Sequence, residues 1–471
     1  GHLLQEILRD EFGFQGAIMA DGCALDRVYD VCGDKVEACT EAITAGVDIS
    51  LWDQVYPHLE EAVLCRKLSE KILDQAVLRV LKMKEELGLF ENKPVPPKRA
   101  KYESQDKEKI VTKMAQESLV LLKNDGILPL KKEKLSKLAV IGPHAANAYH
   151  QLGDYTPYKN LLECVNLVEG LKEKLKDSVS VVTAPATRIA QPIKGGLFEA
   201  VEVAKDADVI LLTLGGASTR DFSTKFDKNG AALSTSAEMT SGENIDLSDL
   251  DLPACQLELF SEMKKLGKPI IVVLIEGRPH CIQSFDRETN AILFAGYPGQ
   301  FGGRAISNVL FGDNPNGRLA FSIPESSGQL PVYYNYRDTL FMEKYADQKE
   351  PLSYPFGFGM SYTSFHFSIK KICQTDKLEI HYQLVNEGEI SGAETIEIFA
   401  KKHQGIIPAR KKELISFTKV FLNAKERREG IISIPKEHFA YLDDHFKDKI
   451  PKSAELIIET STSKYREFVS F

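Results

Sequence analysis

The chain has 471 residues, of which 43% are hydrophobic and 27% are charged, as in an ordinary globular protein. At roughly 150 residues per domain, this length predicts about three domains. The net charge of -8, with 59 Lys and Arg against 67 Asp and Glu, argues against a nucleic-acid partner. No apolar run reaches the ~20 residues of a membrane span, so we expect no membrane partner either.

Strands and helices alternate through the first 92 residues. The predicted elements are an apolar strand at 16–20 that ends at Asp21, a helix ending near Ala45, a strand at 46–50 and a long helix through 74–84. Such alternation predicts parallel β/α units. Three prolines within 93–99 then break the periodicity, which predicts a linker at 93–107.

A second series of β/α units is predicted from residue 108. It contains a helix through 114–118 and apolar strands at 138–141, 209–213, 270–274 and 291–294. Continuous apolar runs are typical of a parallel sheet that is covered by helices on both faces. We therefore expect an α/β sandwich with a mostly parallel sheet over residues 108–325.

The pattern changes to alternating polar and apolar residues beyond residue 365. Alternation at 378–385 and 395–400, with a turn at 386–388 between them, predicts a small β-sandwich over 366–471. The stretch at 326–365 is rich in aromatic residues, Pro and Gly. We expect it to be an ordered linker.

The eight cysteines are spread along the chain without CxxC pairs or neighbouring His ligands. We therefore expect reduced thiols, a cytoplasmic protein, and neither a metal nor another cofactor. Residues 1–10 predict an amphipathic helix and lack the basic-then-apolar pattern of a signal peptide.

Two carboxylates have positions that suit catalysis. Asp21 follows an uncharged strand, so its charge faces a cleft or solvent and not the core. Glu243 lies far downstream in the loop sequence Ser-Gly-Glu-Asn-Ile-Asp. Retaining glycoside hydrolysis needs one carboxylate that attacks the sugar and a second that donates a proton, which this pair could supply. Alternatively, Asp21 caps a turn and Glu243 is a solvated loop carboxylate.

Several long stretches resemble glycoside hydrolase family 3. Residues 8–21, Leu-Arg-Asp-Glu-Phe-Gly-Phe-Gln-Gly-Ala-Ile-Met-Ala-Asp, are similar to the family signature LR-x-x-W-G-F-x-G-x-V-x-S-D. Further matching stretches lie at 45–48, 117–130, 277–279, 296–303, 311–319 and 355–365. The resemblance implies a retaining, exo-acting β-glycosidase for β-linked glucosides or short oligosaccharides. It favours β-glucosidase, with β-xylosidase as the alternative.

The resemblance also implies roles for individual residues. The last Asp of the signature is the family's nucleophile and falls on Asp21. The family's acid/base lies in a G-E-x-x-D-R stretch ahead of L-P-x-x-Q, which places it at Glu243. Glu238 is a competitor whose spacing to the L-P-x-x-Q stretch fits less well. Arg220 and Asp221 follow the strand at 209–213 and are candidate substrate contacts, because ligands bind at the carboxyl ends of parallel strands.

The implied fold is incomplete at its first domain. A (β/α)₈ barrel takes about 250 residues, so residues 1–92 would supply only its seventh and eighth strands, ahead of the α/β sandwich and a fibronectin III-like β-sandwich. A truncated gene, association with a separate barrel segment, and a degenerate non-catalytic carbohydrate-binding relative stay open. Homo-oligomer formation stays open too.

The sequence departs from the family near both carboxylates. Gly22 stands where the family often has Trp, which removes a stacking wall for the leaving-group sugar. Leu247 replaces the usual Arg, and loss of that cation would raise the pKa of Glu243 in a buried loop. We expect Trp52, the only tryptophan, to be packed in the wall and not to stack on the sugar. The sequence Gly153-Asp154-Tyr155 is expected to be an ordinary turn.

Overall fold

A computed structural model describes residues 1–91, 104–156, 160–218, 238–242, 245–337, 345–348, 352–374, 376–402, 408–443, 445 and 447–471. These residues belong to two compact units, one at 1–91 and the other from 104 onward. Most of the predicted linker lies outside the described residues.

The first unit is built on two short parallel strands. Its elements are a helix at His2–Glu11 with wide π turns, β1 at Met19–Gly22, α1 at Ala24–Cys32, α2 at Lys35–Ala45, β2 at Ile49–Leu51, a 3₁₀ turn at Tyr56–His58, α3 at Leu59–Leu64 and α4 at Glu70–Glu86. Strand β1 pairs in parallel with β2, where Met19 lies opposite Ile49 and Gly22 opposite Leu51. Helices α1 and α2 form the crossover that parallel strands require.

Strand β1 begins three residues later than predicted and continues through Asp21 to Gly22. Met19 and Asp21 are exposed, whereas Ala20 and Gly22 are half-buried. This alternation is that of a strand with one covered face. Ala20 packs against a core that includes Leu25 of α1.

Helix α2 fixes the entry into strand β2. Its N-cap residue Asp34 accepts a hydrogen bond from the backbone N–H of Glu37 at 2.7 Å. The helix ends at Gly46, whose φ of 110° is a left-handed conformation that glycine adopts without strain. The chain therefore reverses just before Asp48 and runs back into β2.

A six-stranded sheet forms the centre of the α/β part of the second unit. The elements here are α5 at Ser104–Ser118, β3 at Val120–Asn124, β4 at Lys137–Ile141, α6 at Leu167–Leu175, β5 at Ser180–Ala184, α7 at Gly196–Ala204, β6 at Val209–Gly215, α8 at Ala254–Lys265, β7 at Ile270–Ile275, α9 at Gln283–Asp286, β8 at Ala291–Gly296 and α10 at Gly302–Leu310, with 3₁₀ turns at Lys132–Lys134, Tyr149–Gln151, Leu161–Glu163 and Lys176–Ser178. The strand order is β3-β8-β7-β6-β4-β5, and only the β3–β8 pair is antiparallel. The predicted, mostly parallel sheet is confirmed.

Helices cover both faces of this sheet. Helices α7, α8 and α9 pack on one face through residues such as Leu259 and Phe285. Helices α5, α6 and α10 pack on the other through residues such as Leu171 and Ile306. Every residue of β6 and β7 is buried, because both faces of these central strands are covered. This burial explains why their sequences are continuous apolar runs.

Strands β3 and β5 were not predicted from the sequence. They occupy the two edges of the sheet, where polar residues are tolerated and help to block further pairing. Accordingly β3 ends in Lys123 and Asn124, and β5 contains Ser180 and Thr183. Their apolar runs are short, so they lack the pattern that identified the central strands.

The C-terminal part is an antiparallel β-sandwich, as predicted. After a 3₁₀ turn at Ser327–Gln329, its elements are β9 at Phe365–Gln374, β10 at Lys377–Asn386, β11 at Gly392–Lys402, β12 at Glu413–Leu422, β13 at Arg427–Pro435, a 3₁₀ helix at Lys436–Phe439, β14 at Tyr441–Leu442, β15 at Asp448–Lys449, β16 at Ser453–Glu459 and β17 at Lys464–Ser470. The sheets β13-β10-β9 and β12-β11-β16-β17 enclose one core. The turn at 386–388 carries the chain between the two sheets, since β10 pairs with β9 and β13 but not with β11.

Buried polar contacts connect the α/β part to this sandwich. The side-chain oxygen of Asn316 accepts a hydrogen bond from the backbone N–H of Ala393 at 2.9 Å. Two residues later, Arg318 forms an ion pair with Glu394 at 3.0 Å, and both side chains are buried. Residues of the stretch 311–319 therefore serve the joint between the two parts.

Candidate active site

Asp21 lies at the carboxyl end of strand β1 with its side chain exposed. Its Oδ1 accepts a hydrogen bond from the backbone N–H of Gly22 at 2.8 Å. The next residue, Cys23, donates its backbone N–H to Leu51 at 2.7 Å, which ties the end of β1 to the end of β2. The carboxylate therefore stands on a fixed strand end with its side chain exposed.

A buried ion-pair network positions this strand. Arg9 donates to Asp48 at 2.7 Å and to the carbonyl of Gly16 at 2.9 Å, and Arg79 donates to the other oxygen of Asp48 at 2.8 Å. Asp48 also accepts the backbone N–H of Ile18 at 2.8 Å. The side chains of Arg9 and Asp48 are almost fully buried. This network holds the start of β1 and, through it, Asp21.

Trp52 is not packed in the wall of the unit, so that expectation is wrong. Its side chain is 78% exposed, and its ring lies beside Gly22. A Cβ atom at position 22 would lie 3.2 Å from Cε3 and 3.4 Å from Cζ3 of the ring. The space that a side chain at position 22 would occupy is thus filled from strand β2.

Three of the predicted site residues, Glu243, Arg220 and Asp221, lie outside the described residues. The segments on either side of Glu243 are described, and both are anchored. Thr240 forms two hydrogen bonds with Ala217, a residue that follows β6. The N–H of Thr240 donates to the carbonyl of Ala217 at 2.8 Å, and Thr240 Oγ1 accepts the N–H of Ala217 at 3.1 Å. On the other side, Asp246 pairs with Arg278 at 2.6 Å.

Glu238, the competitor for the acid/base role, has a structural function. It accepts the backbone N–H of Ile189 at 2.8 Å and lies 3.9 Å from Arg188. These contacts fasten the start of the segment 238–242 to the chain that follows β5. Its other oxygen, Oε1, has no hydrogen-bond partner among the described residues.

The guanidinium of Arg278 lies close to the backbone next to Leu247, because it pairs with Asp246. Arg278 follows β7, and Asp246 is the residue before Leu247. The cation expected to be absent from this loop is therefore supplied from another part of the sheet. The pair is largely solvent-exposed, so its contribution to stability is about 0–1 kcal/mol.

A group of buried histidines lies near the ends of β4 and β7 and was not predicted. The rings of His144 and His150 are 5.1 Å apart, and His280 Nδ1 lies 2.6 Å from Glu276. Burial lowers the pKa of His144 well below its usual value, and nearby His150 lowers it further. Burial also lowers the pKa of His150 to about 4. His144 and His150 are therefore neutral at pH 7.

The predicted turn at Gly153-Asp154-Tyr155 is confirmed. Asp154 Oδ1 accepts the backbone N–H of Tyr155 at 2.8 Å, which is ordinary turn geometry, and a Cβ at Gly242 would lie 3.2 Å from Asp154 Oδ2. Gly142, which follows β4, has a φ of 121°, a conformation that glycine adopts without strain.

The described ranges contain no group of three His, Cys, Asp or Glu side chains placed to hold a metal ion. None of the eight cysteines, all of which lie in the described ranges, forms a disulfide. None of the helices in the described ranges combines the length and the hydropathy that a bilayer crossing requires.

The sequence does not identify the groups that position the strand ends. Arg9 and Asp48 lie in stretches that resemble the family but have no predicted role, and no pattern points to Arg79 or Thr240. A signal was available for the first pair, because a charged residue at the end of each apolar element needs a partner once it is buried.

Comparison with known proteins assigns the chain to a family. Residues 119–362 match the model of the glycosyl hydrolase family 3 C-terminal domain, and residues 1–83 match that of the N-terminal domain. A β-xylosidase of Formosa agariphila is 31% identical, over 98% of this chain and 65% of that protein. A periplasmic β-glucosidase of Salmonella typhimurium is 29% identical, over 99% of this chain and 64% of that protein.

Solved structures agree with these relatives. The β-glucosidase of Listeria innocua in complex with isofagomine superposes with a TM-score of 0.84 at 27% identity, over 100% of this chain and 65% of that one. The chain thus spans slightly less than two thirds of the length of these relatives. The matched residues cover both of its units, and the chain belongs to glycoside hydrolase family 3.

Proposed function

We propose that the chain is the catalytic part of a retaining, exo-acting β-glycosidase that releases terminal β-D-glucosyl residues from glucosides or short oligosaccharides. The observation that carries the proposal is the position of Asp21. It is exposed at the end of a parallel strand, and a buried network holds that strand in place. The family match and the β-glucosidase structures support the same assignment.

In this proposal Asp21 is the nucleophile and Glu243 the acid/base. A carboxylate oxygen of Asp21 bonds to the anomeric carbon while the bond to the leaving oxygen breaks, and Glu243 gives that oxygen its proton. Glu243 then removes a proton from water, the water oxygen attacks the anomeric carbon, and the bond to Asp21 breaks. The engagement of Glu238 with Ile189 supports Glu243 over Glu238.

The nucleophile is tested by trapping. A 2-fluoro glycoside slows the second step, so the labelled enzyme accumulates and its peptides can be mapped by mass spectrometry. We expect the label on Asp21. Label on any other residue contradicts the assignment.

The acid/base is tested by rescue. Glu243→Ala should keep activity on activated aryl glycosides, which need little protonation of the leaving group, and added azide should restore turnover. Glu238→Ala is the matched control and should not respond to azide. Rescue of Glu238→Ala alone would move the role to that residue.

β-Xylosidase is the second candidate, because one of the relatives, at 31% identity, is named a β-xylosidase. The two sugars differ in the C6 hydroxymethyl group, so the ratio of kcat/KM on matched aryl glucoside and aryl xyloside separates them. A ratio above one supports β-glucosidase. Absence of turnover on both, with and without an added segment that carries six further β/α units, favours a non-catalytic carbohydrate-binding relative.

We also propose a domain arrangement for the chain. Residues 1–92 would be the last two β/α units of a (β/α)₈ barrel, 108–325 the α/β sandwich, and 366–471 a fibronectin III-like domain. The parallel β1–β2 pair and the two antiparallel sheets support this arrangement. We propose a cytoplasmic location, because none of the eight cysteines forms a disulfide in the structure and disulfides are rare in that compartment.

A further inference from the structure

Glu276 and His280 form a hydrogen-bonded pair in the interior of the α/β part. Glu276 directly follows β7, and each of the two side chains is 1% exposed. His280 Nδ1 donates to Glu276 Oε2 at 2.6 Å, and the backbone N–H of His280 donates to Glu276 Oε1 at 3.3 Å. Because burial of a carboxylate and an imidazole costs free energy even when they are paired, such a pair is a weak source of stability. Its position indicates another role.

The bond to Glu276 determines how the His280 ring is oriented. The other ring nitrogen, Nε2, is buried and has no hydrogen-bond partner among the described residues. The two bonds to Glu276 also close the turn at 276–280, through which the chain leaves β7. Loss of the Glu276 carboxyl would therefore release both the ring and the turn.

The His280 ring packs against the residue that follows β6. A Cβ atom at Gly216 would lie 3.0 Å from His280 Cε1 and 2.3 Å from Thr240 Oγ1. The imidazole and the Thr240 hydroxyl therefore meet at one point of the backbone, where a side chain would displace one of them. Thr240 is bonded to Ala217, the residue after Gly216. The ring thus supports the backbone to which the segment 238–242 is fastened.

The turn after β7 also holds the chain on the other side of Glu243. Arg278 pairs with Asp246 at 2.6 Å, and the N–H of Cys281 donates to the carbonyl of Leu250 at 2.8 Å. The turn therefore contacts described residues that follow Glu243 in sequence. Through the backbone after β6 it supports those that precede Glu243. One short turn thus anchors both flanks of the predicted acid/base.

Burial keeps the pair out of reach of a substrate. With 1% of either side chain exposed, neither the Glu276 carboxyl nor the His280 ring can touch a reacting atom. Across the described residues, no group of side chains around the pair is placed to bind a metal ion. The pair therefore acts on the reaction through the chain that it holds in place.

We infer that Glu276 and His280 are positioning residues for proton transfer by Glu243. Their bond sets the turn after β7, the turn anchors the two flanks of Glu243, and these flanks set the distance from the acid to the leaving oxygen. A misplacement of about 1 Å can cost roughly 100-fold in rate. The inference rests on the proposed function, since it assumes that Glu243 is the acid/base.

Substitution of the pair should change the response of the enzyme to the leaving group. For Glu276→Ala and for His280→Ala in the full chain, we expect kcat/KM to fall about tenfold or more on β-glucosides with poor leaving groups. On dinitrophenyl β-glucoside, whose leaving group needs little protonation, kcat/KM should change less than about twofold. Glu276→Gln keeps an acceptor for the ring and should recover most of the loss. Equal losses on both substrates overturn the inference.

Ser307→Ala is the matched control. Ser307 is also fully buried in the α/β part, where its hydroxyl donates to the carbonyl of Gly303 at 2.8 Å within helix α10. The substitution should lower the free energy of unfolding and leave the ratio of kcat/KM between good and poor leaving groups unchanged. A changed ratio would show that any loss of stability has the same effect, which overturns the inference.

Hydrogen exchange supplies a readout that does not need turnover. The N–H of Thr240 donates to Ala217 and that of Cys281 to Leu250, so both amides should exchange slowly in the wild-type chain. In Glu276→Ala and His280→Ala we expect both to exchange at least about tenfold faster, while β4 keeps its protection. Unchanged exchange at the two amides, or equal acceleration in β4, overturns the inference. Faster exchange at the two amides in a chain whose wild type hydrolyses no glycoside refutes the proposed function and leaves the pair as the anchor of this segment.

Discussion

Arg9 and Asp48 form a buried ion pair of 2.7 Å between the opening helix and the turn that leads into β2. A carboxylate in this position would be costly without partners, and Arg79 and the N–H of Ile18 provide the remaining ones. Arg9, which lies in the stretch that resembles the family signature, therefore helps to fix the strand that carries Asp21. It does so through Asp48, which is distant from it in sequence.

Asp48→Asn should destabilise the first unit by about 3–5 kcal/mol, because it leaves the buried guanidinium of Arg9 without its counter-charge. Chemical denaturation and hydrogen exchange of residues 1–91 measure the loss. Asp30→Asn is the matched control, since the Arg27–Asp30 pair is exposed with a distance of 3.6 Å. Unchanged protection of β1 in Asp48→Asn would contradict the role given to the network.

Thr240→Val should weaken the anchoring of the segment that leads to Glu243. The substitution leaves the buried N–H of Ala217 without its acceptor, at a local cost of about 1–3 kcal/mol. If Glu243 is the acid, we expect kcat to fall about tenfold on glycosides with poor leaving groups. Glycosides with good leaving groups should be little affected.

Thr240→Ser retains the hydroxyl and is the control for this variant. It should behave like the wild type on both classes of substrate. A fall in kcat that is equal for good and poor leaving groups would show that Thr240 does not act through the proton donor.

His150 should make the second unit sensitive to acid. Burial lowers its pKa from 6.5 to about 4, so the folded state favours the neutral ring. The unfolded chain binds the proton first, and stability falls as the pH drops from 6.5 to 4, by about 2–3 kcal/mol for this residue. His150→Gln should flatten the dependence of the free energy of unfolding on pH in that window. His366→Gln, at an exposed position of the same unit, should leave it unchanged.

Glu397 should act in the opposite direction. Burial raises its pKa from 4.5 to about 7, and Glu459 and Glu394 raise it while Lys412 and Arg318 lower it. The folded state binds the proton more tightly than the unfolded chain, so stability is full below pH 4.5 and is lost as the pH rises through 7. Glu397→Gln should stabilise the protein by about 1–2 kcal/mol at pH 8, after allowance for partial exposure, and have little effect at pH 4.5.

The control for Glu397 is Glu389→Gln, because Glu389 is 83% exposed. It should shift the free energy of unfolding by less than about 0.5 kcal/mol at either pH. Equal effects of Glu397→Gln at pH 4.5 and pH 8 would contradict the raised pKa.

The central strands of the fold could be predicted because burial on both faces forces a continuous apolar sequence. β6 and β7 show this directly, whereas the edge strands β3 and β5 carry polar residues and gave no comparable signal. After Asn386 the chain passes from one sheet of the sandwich to the other. The alternation of polar and apolar residues does not predict this, because it shows which face of a strand is buried but not which strands pair with it.

The site was predictable where chemistry follows local sequence and was not where it depends on distant contacts. Asp21 was identified from its place at the end of an apolar strand and from the family signature. Two contacts near the acid/base segment join residues that are far apart in sequence: Glu238 accepts the N–H of Ile189, and Arg278 pairs with Asp246. No local sequence pattern predicts such contacts. Trp52 also has a left-handed backbone, with a φ of 60°, which its sequence does not suggest.

The network around Asp48 also sets the order of events while the chain is being made. Arg9 lies 39 residues before Asp48, and Arg79 lies 31 residues after it. At about 5–20 residues per second, the ribosome adds Arg79 roughly 2–6 seconds after Asp48. During that interval the carboxylate of Asp48 lacks its second cation. The Arg9–Asp48–Arg79 network is therefore complete only after α4 has been synthesised.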